Sequence, residues 1–241
     1  MTLLTAPLAR VDEASARSRL LAIDISRHTF DYLPGQAVMM GPHGAHLRRP
    51  FSIACSPERA AETHVLELLI AMEGSSENLE WARTGTLVDI EGPLGTFTFP
   101  ASLDQSRVLF VAGGTGIAPL RAMLDHALRR YPAERISLLY STRRGDEFAF
   151  IEELRAHERA GRLELHQTVT RDESTSWDGK RGRIGRSHFE AVLHEPAKTI
   201  CFVCGPPLLV SESTATLREL GVPAELIRTE SWGGPAEDGP T

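Results

Sequence analysis

Hydrophobic positions along the chain follow two patterns that exchange near residue 105. Before that point they gather in short runs, ARSRLLAID, QAVMMG, RPFSIA, HVLELLIAM, TLVDIEG and TFTF, separated by LPGQ, GPHG and EGPLG. Short apolar or alternating runs bounded by Gly and Pro predict strands. Many such strands with little helix predict a small closed or nearly closed antiparallel β-barrel.

After that point RVLFVAGG, RISLLYST, LELHQTVTR and TICFVCG read as strands, mostly buried ones. Between them IAPLRAMLDHALRRY, FAFIEELRAHERAG, SHFEAVLH and LLVSESTATLRELG carry helical spacing. Alternation of helices with continuous apolar strands predicts an α/β domain, a parallel sheet covered on both faces. The expected division is a barrel over 1–102, an α/β domain over 103–232 and a mobile tail over 233–241, GGPAEDGPT. The boundary falls within Pro100–Ser106, and no internal repeat is visible.

Composition narrows the possible functions. With 241 residues and 41% hydrophobic content, two domains can each bury a core. No run approaches the roughly 20 apolar residues of a membrane span, and the start, MTLLTAPLARVDEASARSR, lacks a secretory apolar segment, so a cytoplasmic location is expected. A net charge of −6 argues against a nucleic-acid partner. Local basic clusters, Arg143-Arg144 and Lys180 to Arg183, suit phosphate contacts or solvated loops equally. Three cysteines, Cys55, Cys201 and Cys204, are too few for an all-cysteine iron–sulfur cluster. Cys201 and Cys204 lie three apart on a predicted strand and so face opposite ways, and no metal site is expected.

Chemistry enters at a glycine cluster. Gly114-Thr115-Gly116-Ile117-Ala118-Pro119 is a G-x-G-x-x-G arrangement with Pro in the last place, set between a predicted strand and a predicted helix. Glycines there let the backbone approach a pyrophosphate, whose charge meets the free amides of the helix start. At the end of the next strand, Tyr140-Ser141-Thr142-Arg143-Arg144 offers no acid for a ribose 2′-hydroxyl, and its arginines favour a 2′-phosphate.

RPFS at 49–52, GPLG at 92–95, GGTGIAP at 113–119 and CGPP at 204–207 occur in the order and spacing of the ferredoxin–NADP reductase-like superfamily, and the chain resembles it from about Ala16 to Trp232. The resemblance implies a flavin-binding antiparallel barrel followed by a pyridine-nucleotide domain. Arg49 would pair with flavin phosphate, Phe51 would pack on the isoalloxazine, and Ser52 would direct its hydroxyl to flavin N5. Pro50 and Ile70 join the flavin-binding set, and Gly74, Ser75 and Ser76 would hold the FAD pyrophosphate. On the nucleotide side the resemblance assigns Gly114, Thr115, Gly116 and Pro119, then Arg143 and the Thr170-Arg171 pair, then Cys204, Gly205 and Pro206 beside the nicotinamide. Glu230 joins Ser52 and Cys204 as catalytic residues, and Trp232 would cover the flavin.

The implied activity passes a hydride from NADH or NADPH to bound FAD, then single electrons to a separate carrier protein, a ferredoxin, flavodoxin or oxygenase component. Arg48 would steer an acidic carrier. Two other readings are an NAD(P)H:flavin reductase that uses free flavin and a flavin-binding electron-transfer subunit of a larger complex. A nucleotide-binding module without flavin is the plainest alternative.

Overall fold

The computed structural model describes residues 2–72, 79–175 and 177–232. The chain forms two compact units, Met1–Ser102 with Ala118–Pro132 and Leu103–Ile117 with Ala133–Thr241. The tail 233–241 lies outside the described residues.

The first unit is built on six antiparallel strands: β1 (Thr2–Ser15), β2 (Ser18–Asp24), β3 (Ala37–Pro42), β4 (Arg49–Ser52), β5 (Val65–Ala71) and β6 (Leu87–Leu94). Their order is β4-β3-β6-β1-β2-β5. An antiparallel bridge from Ile53, just past β4, to Leu68 of β5 joins the two edge strands, giving the barrel form. Strand β1 serves two neighbours, pairing through Thr2–Pro7 with β6 and beyond Leu8 with β2, with an irregularity at Leu8/Arg10 where the strand turns the corner. Its Leu4, Ala6 and Leu8 point into a core shared with Leu21, Ile53 and Leu68. Between β4 and β5 lies α1 (Pro57–Thr63), capped by Ser56, whose hydroxyl accepts from Arg59 N, with Pro57 at the first helical position.

TFTF departs from expectation. Residues 96–99 form no strand. Phe97 and Phe99 are buried instead, and the Phe99 ring packs against His126 and Tyr131, with centroids 5.5 and 5.9 Å apart. Two bulky rings with no partner strand gain more from burial under a helix than from an exposed ladder. That helix is α2 (Ile117–Arg130). It follows a strand of the α/β half in the chain, yet from Ala118 onwards it belongs to the first unit.

The second unit is a parallel sheet: β7 (Arg107–Gly113), β8 (Arg135–Thr142), β9 (Glu164–Val169), β10 (Lys180–Arg181), β11 (Thr199–Gly205) and β12 (Ile227–Ser231), with α3 (Ile151–Arg159), α4 (Arg186–Val192) and α5 (Pro207–Glu219). The strand order is β10-β9-β8-β7-β11-β12. Chain order therefore reverses between β7 and β11, the switch point of a doubly wound sheet. Strands β7, β8 and β11 are buried almost throughout, which matches their unbroken apolar runs. The edge strands β10 and β12 are short and polar, carry no apolar pattern, and were not expected from the sequence. No helix among the described residues is long and apolar enough to cross a membrane.

Candidate functional site

At the switch point two turns meet with no room for a side chain. Ala112 of β7 lies opposite Cys204 of β11, so both turns leave the sheet at the same edge. A Cβ on Gly116 would stand 2.4 Å from Cys204 O and 2.7 Å from its carbonyl carbon. A Cβ on Gly113 would meet Pro206 Cδ at 2.8 Å, and one on Gly205 would lie 3.1 Å from Gly113 N and Cα. Gly114 sits at φ +55 with nothing within 4 Å of a would-be Cβ, so the turn has an open face. Thr115 is partly exposed, and Pro119, in the first turn of α2, is buried and removes an amide that the helix does not use. The Tyr140 hydroxyl donates to Gly114 O and accepts from Ala149 N, each at 3.2 Å, pinning the turn to β8. Burial pushes that phenol above its ordinary range. Neither spacing nor motif pointed to Tyr140.

The next strand completes this edge. Cys204 pairs with Glu230 across β11 and β12, and its Sγ lies 3.9 Å from Glu230 Oε2. Trp232 Nε1 donates to the same oxygen at 3.0 Å, and Trp232 N donates to Gly205 O at 3.2 Å. Burial pushes the Glu230 carboxyl up to about 7, against the opposing pull of hydrogen bonds from Trp232 and Cys204. Burial, reinforced by the Glu230 charge, also pushes the Cys204 thiol well up, so it stays a neutral donor. Pro206 is exposed and precedes Pro207, the first residue of α5.

Farther along the same edge, the basic cluster at 143–144 divides. Arg171 N donates to Arg143 O at 2.8 Å, which brings these two exposed arginines to the ends of neighbouring strands, while Thr170 Oγ1 donates to Thr142 O at 3.3 Å. The Arg144 fork is occupied by Asp146, at 3.2 and 3.4 Å. Arg181, from the second basic cluster, donates to the carbonyls of Asp172, Ser174 and Trp177 and thereby clamps a loop.

In the first unit, RPFS forms the edge strand β4, where Pro50 is exposed and its missing amide is tolerated. Phe51 is half-buried against the barrel core and Arg49 is half-buried. Ser52 is 7% exposed. A hydroxyl, a ring and a guanidinium on one short strand fit a planar ligand bearing both a hydrogen-bonding edge and a phosphate. The Ile70 side chain lies in the core, so only its backbone is available to a ligand. Gly74, Ser75 and Ser76 lie outside the described residues.

Arg48 does not stand ready for a carrier. It lies 3.6 Å from Asp89 and 3.4 Å from Glu91, and these carboxylates offset its charge. Asp89 also accepts from Thr5 Oγ1 at 2.6 Å, His43 Nδ1 at 2.8 Å and Gly44 N at 3.2 Å, which fixes the loop leading into β4.

Comparison with known proteins shows the family. The family described as "Oxidoreductase NAD-binding domain" matches residues 110–214, from β7 into α5. "Oxidoreductase NAD-binding domain-containing protein 1" of Danio rerio is 27% identical over 96% of this chain and 93% of its own length. "Ferredoxin--NADP reductase B" of Sorangium cellulosum is 32% identical, covering 78% of this chain and 80% of that protein. The chain belongs to the ferredoxin–NADP reductase-like superfamily. Membership in the ferredoxin–NADP reductase-like superfamily makes it an NAD(P)H-dependent flavoprotein oxidoreductase, with FAD as cofactor and NAD(P)H as substrate. The solved "Ferredoxin reductase in carbazole 1,9a-dioxygenase", 22% identical, shares the two-part superfamily fold with a TM-score of 0.82 over 95% of this chain and 69% of its own.

Proposed function

We propose that the chain moves a hydride from NAD(P)H to FAD and delivers the electrons one at a time to a separate carrier protein, a ferredoxin, a flavodoxin or an oxygenase component. The observation that carries this reading is the pair of glycine turns at the switch point, closed to side chains at Gly113, Gly116 and Gly205 and flanked by Cys204 and Glu230. In this reading the open face at Gly114 and the amides opening α2 take the nucleotide pyrophosphate. Arg143 and Arg171 take the adenosine phosphates. The Cys204 thiol and the Glu230 carboxyl lie along the nicotinamide and hold it for hydride transfer.

FAD supplies the redox chemistry when bound, accepting a hydride at N5 and releasing electrons singly. The residues present suit it: Arg49 supplies a phosphate partner, Phe51 an apolar face, and the Ser52 hydroxyl a donor toward N5. The named relatives, a ferredoxin reductase and a reductase that works with a dioxygenase, support a protein acceptor. The test is the absorbance spectrum of purified protein followed by NAD(P)H-driven reduction of added ferredoxin. Stoichiometric flavin and reduced ferredoxin are expected. A colourless protein that reduces added free flavin would instead mark it as a flavin reductase.

A further inference from the structure

The helix that leaves the glycine turn is fastened to the segment that follows Ser52. Helix α2 begins at Ile117, directly after Gly116. One turn later Arg121, 4% exposed, donates from Nη1 to Ala54 O at 2.8 Å and to Glu67 Oε2 at 2.7 Å. Ala54 lies two residues past Ser52, and its own amide donates to Glu67 O at 2.8 Å. A further turn on, Asp125 accepts from Ser56 Oγ at 2.6 Å, from Arg59 Nε at 3.1 Å and from Arg129 Nε at 3.1 Å. His126 pairs with Glu58 at 2.9 Å and Arg129 with Glu62 at 2.7 Å. Arg121, Asp125, His126, Arg129 and their partners lie within the first unit.

Burying a guanidinium and a carboxylate is unfavourable unless their partners are well placed, and apolar residues of similar volume would hold a helix at least as firmly. This arrangement gives registry in place of simple adhesion. It fixes one turn of α2 to one segment, 53–56, through the Ala54 carbonyl and the Ser56 hydroxyl. Rigid elements of this kind carry coupling between sites.

We propose that Arg121 is a positioning residue that couples nucleotide occupancy of the glycine turn to the flavin strand. Helix α2 transmits the state of its first turn to Ala54 and so to Ser52. The inference rests on the functional reading above, and it goes beyond that reading by assigning a role to a residue outside the flavin and nucleotide sets named there.

The test uses the FAD-loaded protein. Release of FAD on dilution, followed by the rise in free-flavin fluorescence, gives the FAD Kd with and without saturating NADP+, or NAD+ where that binds more tightly. The ratio of the two is the coupling factor, expected to differ from one by about fivefold or more in the wild type. Glu67→Gln keeps the Arg121–Ala54 hydrogen bond and keeps the factor. Arg121→Met combined with Glu67→Gln leaves no carboxylate unpaired and brings the factor to about one, with the nucleotide-free FAD Kd little changed. A residue that merely supports the fold would lower Tm and leave the factor intact. In the wild type, where no substitution disturbs folding, amide exchange across 53–59 is expected to slow when NADP+ is added.

A wild-type factor of one, a factor that survives in the double variant, or unchanged exchange across 53–59 would overturn the coupling alone. A wild type that binds no FAD would overturn the functional reading and the coupling together.

Discussion

Glu230 takes its chemistry from neighbours that only folding supplies. Pairing with β11 sets it beside Cys204, and Trp232 closes over it, so burial raises its carboxyl to about 7. An acid whose folded pKa exceeds its unfolded value of 4.5 holds its proton more tightly in the native state. Stability therefore falls as pH rises through the window from 4.5 to about 7. Glu230→Gln removes that loss: the variant should match the wild type in thermal unfolding below the window and exceed it above the window by on the order of 1 kcal/mol, discounted for partial exposure. The rate of flavin reduction by NAD(P)H should show an apparent pKa near 7 that is absent from the variant. Ser52 makes a different case, because its hydroxyl is the group assigned to flavin N5 and the residue is nearly buried on the edge strand β4. Ser52→Ala is expected to slow flavin reduction about ten- to hundredfold in stopped flow, the worth of one hydrogen bond, while FAD remains bound. Ser52 and Cys204 were singled out from the sequence because they sit inside short motifs. The raised Glu230 carboxyl was not, because its cause is a strand pairing and a ring 26 and two residues away.

At the scale of elements, the glycine turns separate crowding from backbone conformation. Gly116→Ala drives a Cβ into the Cys204 carbonyl, 2.4 Å away, and backbone on that side cannot give. It should weaken nucleotide binding by tenfold or more in a titration, since about 1.4 kcal/mol of lost fit gives that factor, and lower Tm as well. Gly114→Ala meets open space and is strained only by φ +55, so it should cost about 1 kcal/mol. Near-equal effects from the two would contradict the packing of these turns. Helix α2 gives a second case. Hydrogen bonds from Arg59 and Ser56 overcome burial and hold Asp125 down to about 2. Asp125→Ala removes the acceptor that Arg59, Arg129 and the buried Ser56 hydroxyl share and should destabilise the protein by about 3 kcal/mol in denaturant unfolding. The depressed carboxyl stabilises the fold above pH 3.8 and loses that contribution as pH falls toward 2.

The alternation of helix and strand after residue 105 was legible because buried parallel strands are uninterrupted apolar runs. Strand β1 was not, since its polar half and Pro7 obscure the alternation of Leu4, Ala6 and Leu8. The short α1 was signalled only by Ser56-Pro57, a cap followed by an N-terminal proline. Two charges inside the apolar run of α2, Arg121 and Asp125, were the one trace of its attachment to the first unit. An amphipathic pattern reports that a helix has a buried face, and leaves open which partner covers it.

For the whole molecule, the two units divide the candidate groups: an edge strand with ring, charge and hydroxyl lies in one, and a switch-point turn with an acid raised to about 7 in the other. Neither half does anything useful alone, because a hydride donor needs an acceptor and the acceptor needs a donor. Carrier recognition belongs to this scale as well, and the pairing of Arg48 with Asp89 and Glu91 removes it as a steering charge. The most direct measurement is an anaerobic titration of the purified protein with NADH and, separately, NADPH, followed through the visible absorbance of bound FAD. One equivalent of the preferred coenzyme should bleach the flavin. A folded protein that holds FAD which neither coenzyme can bleach, or that holds no flavin at all, would contradict hydride transfer between these two sites.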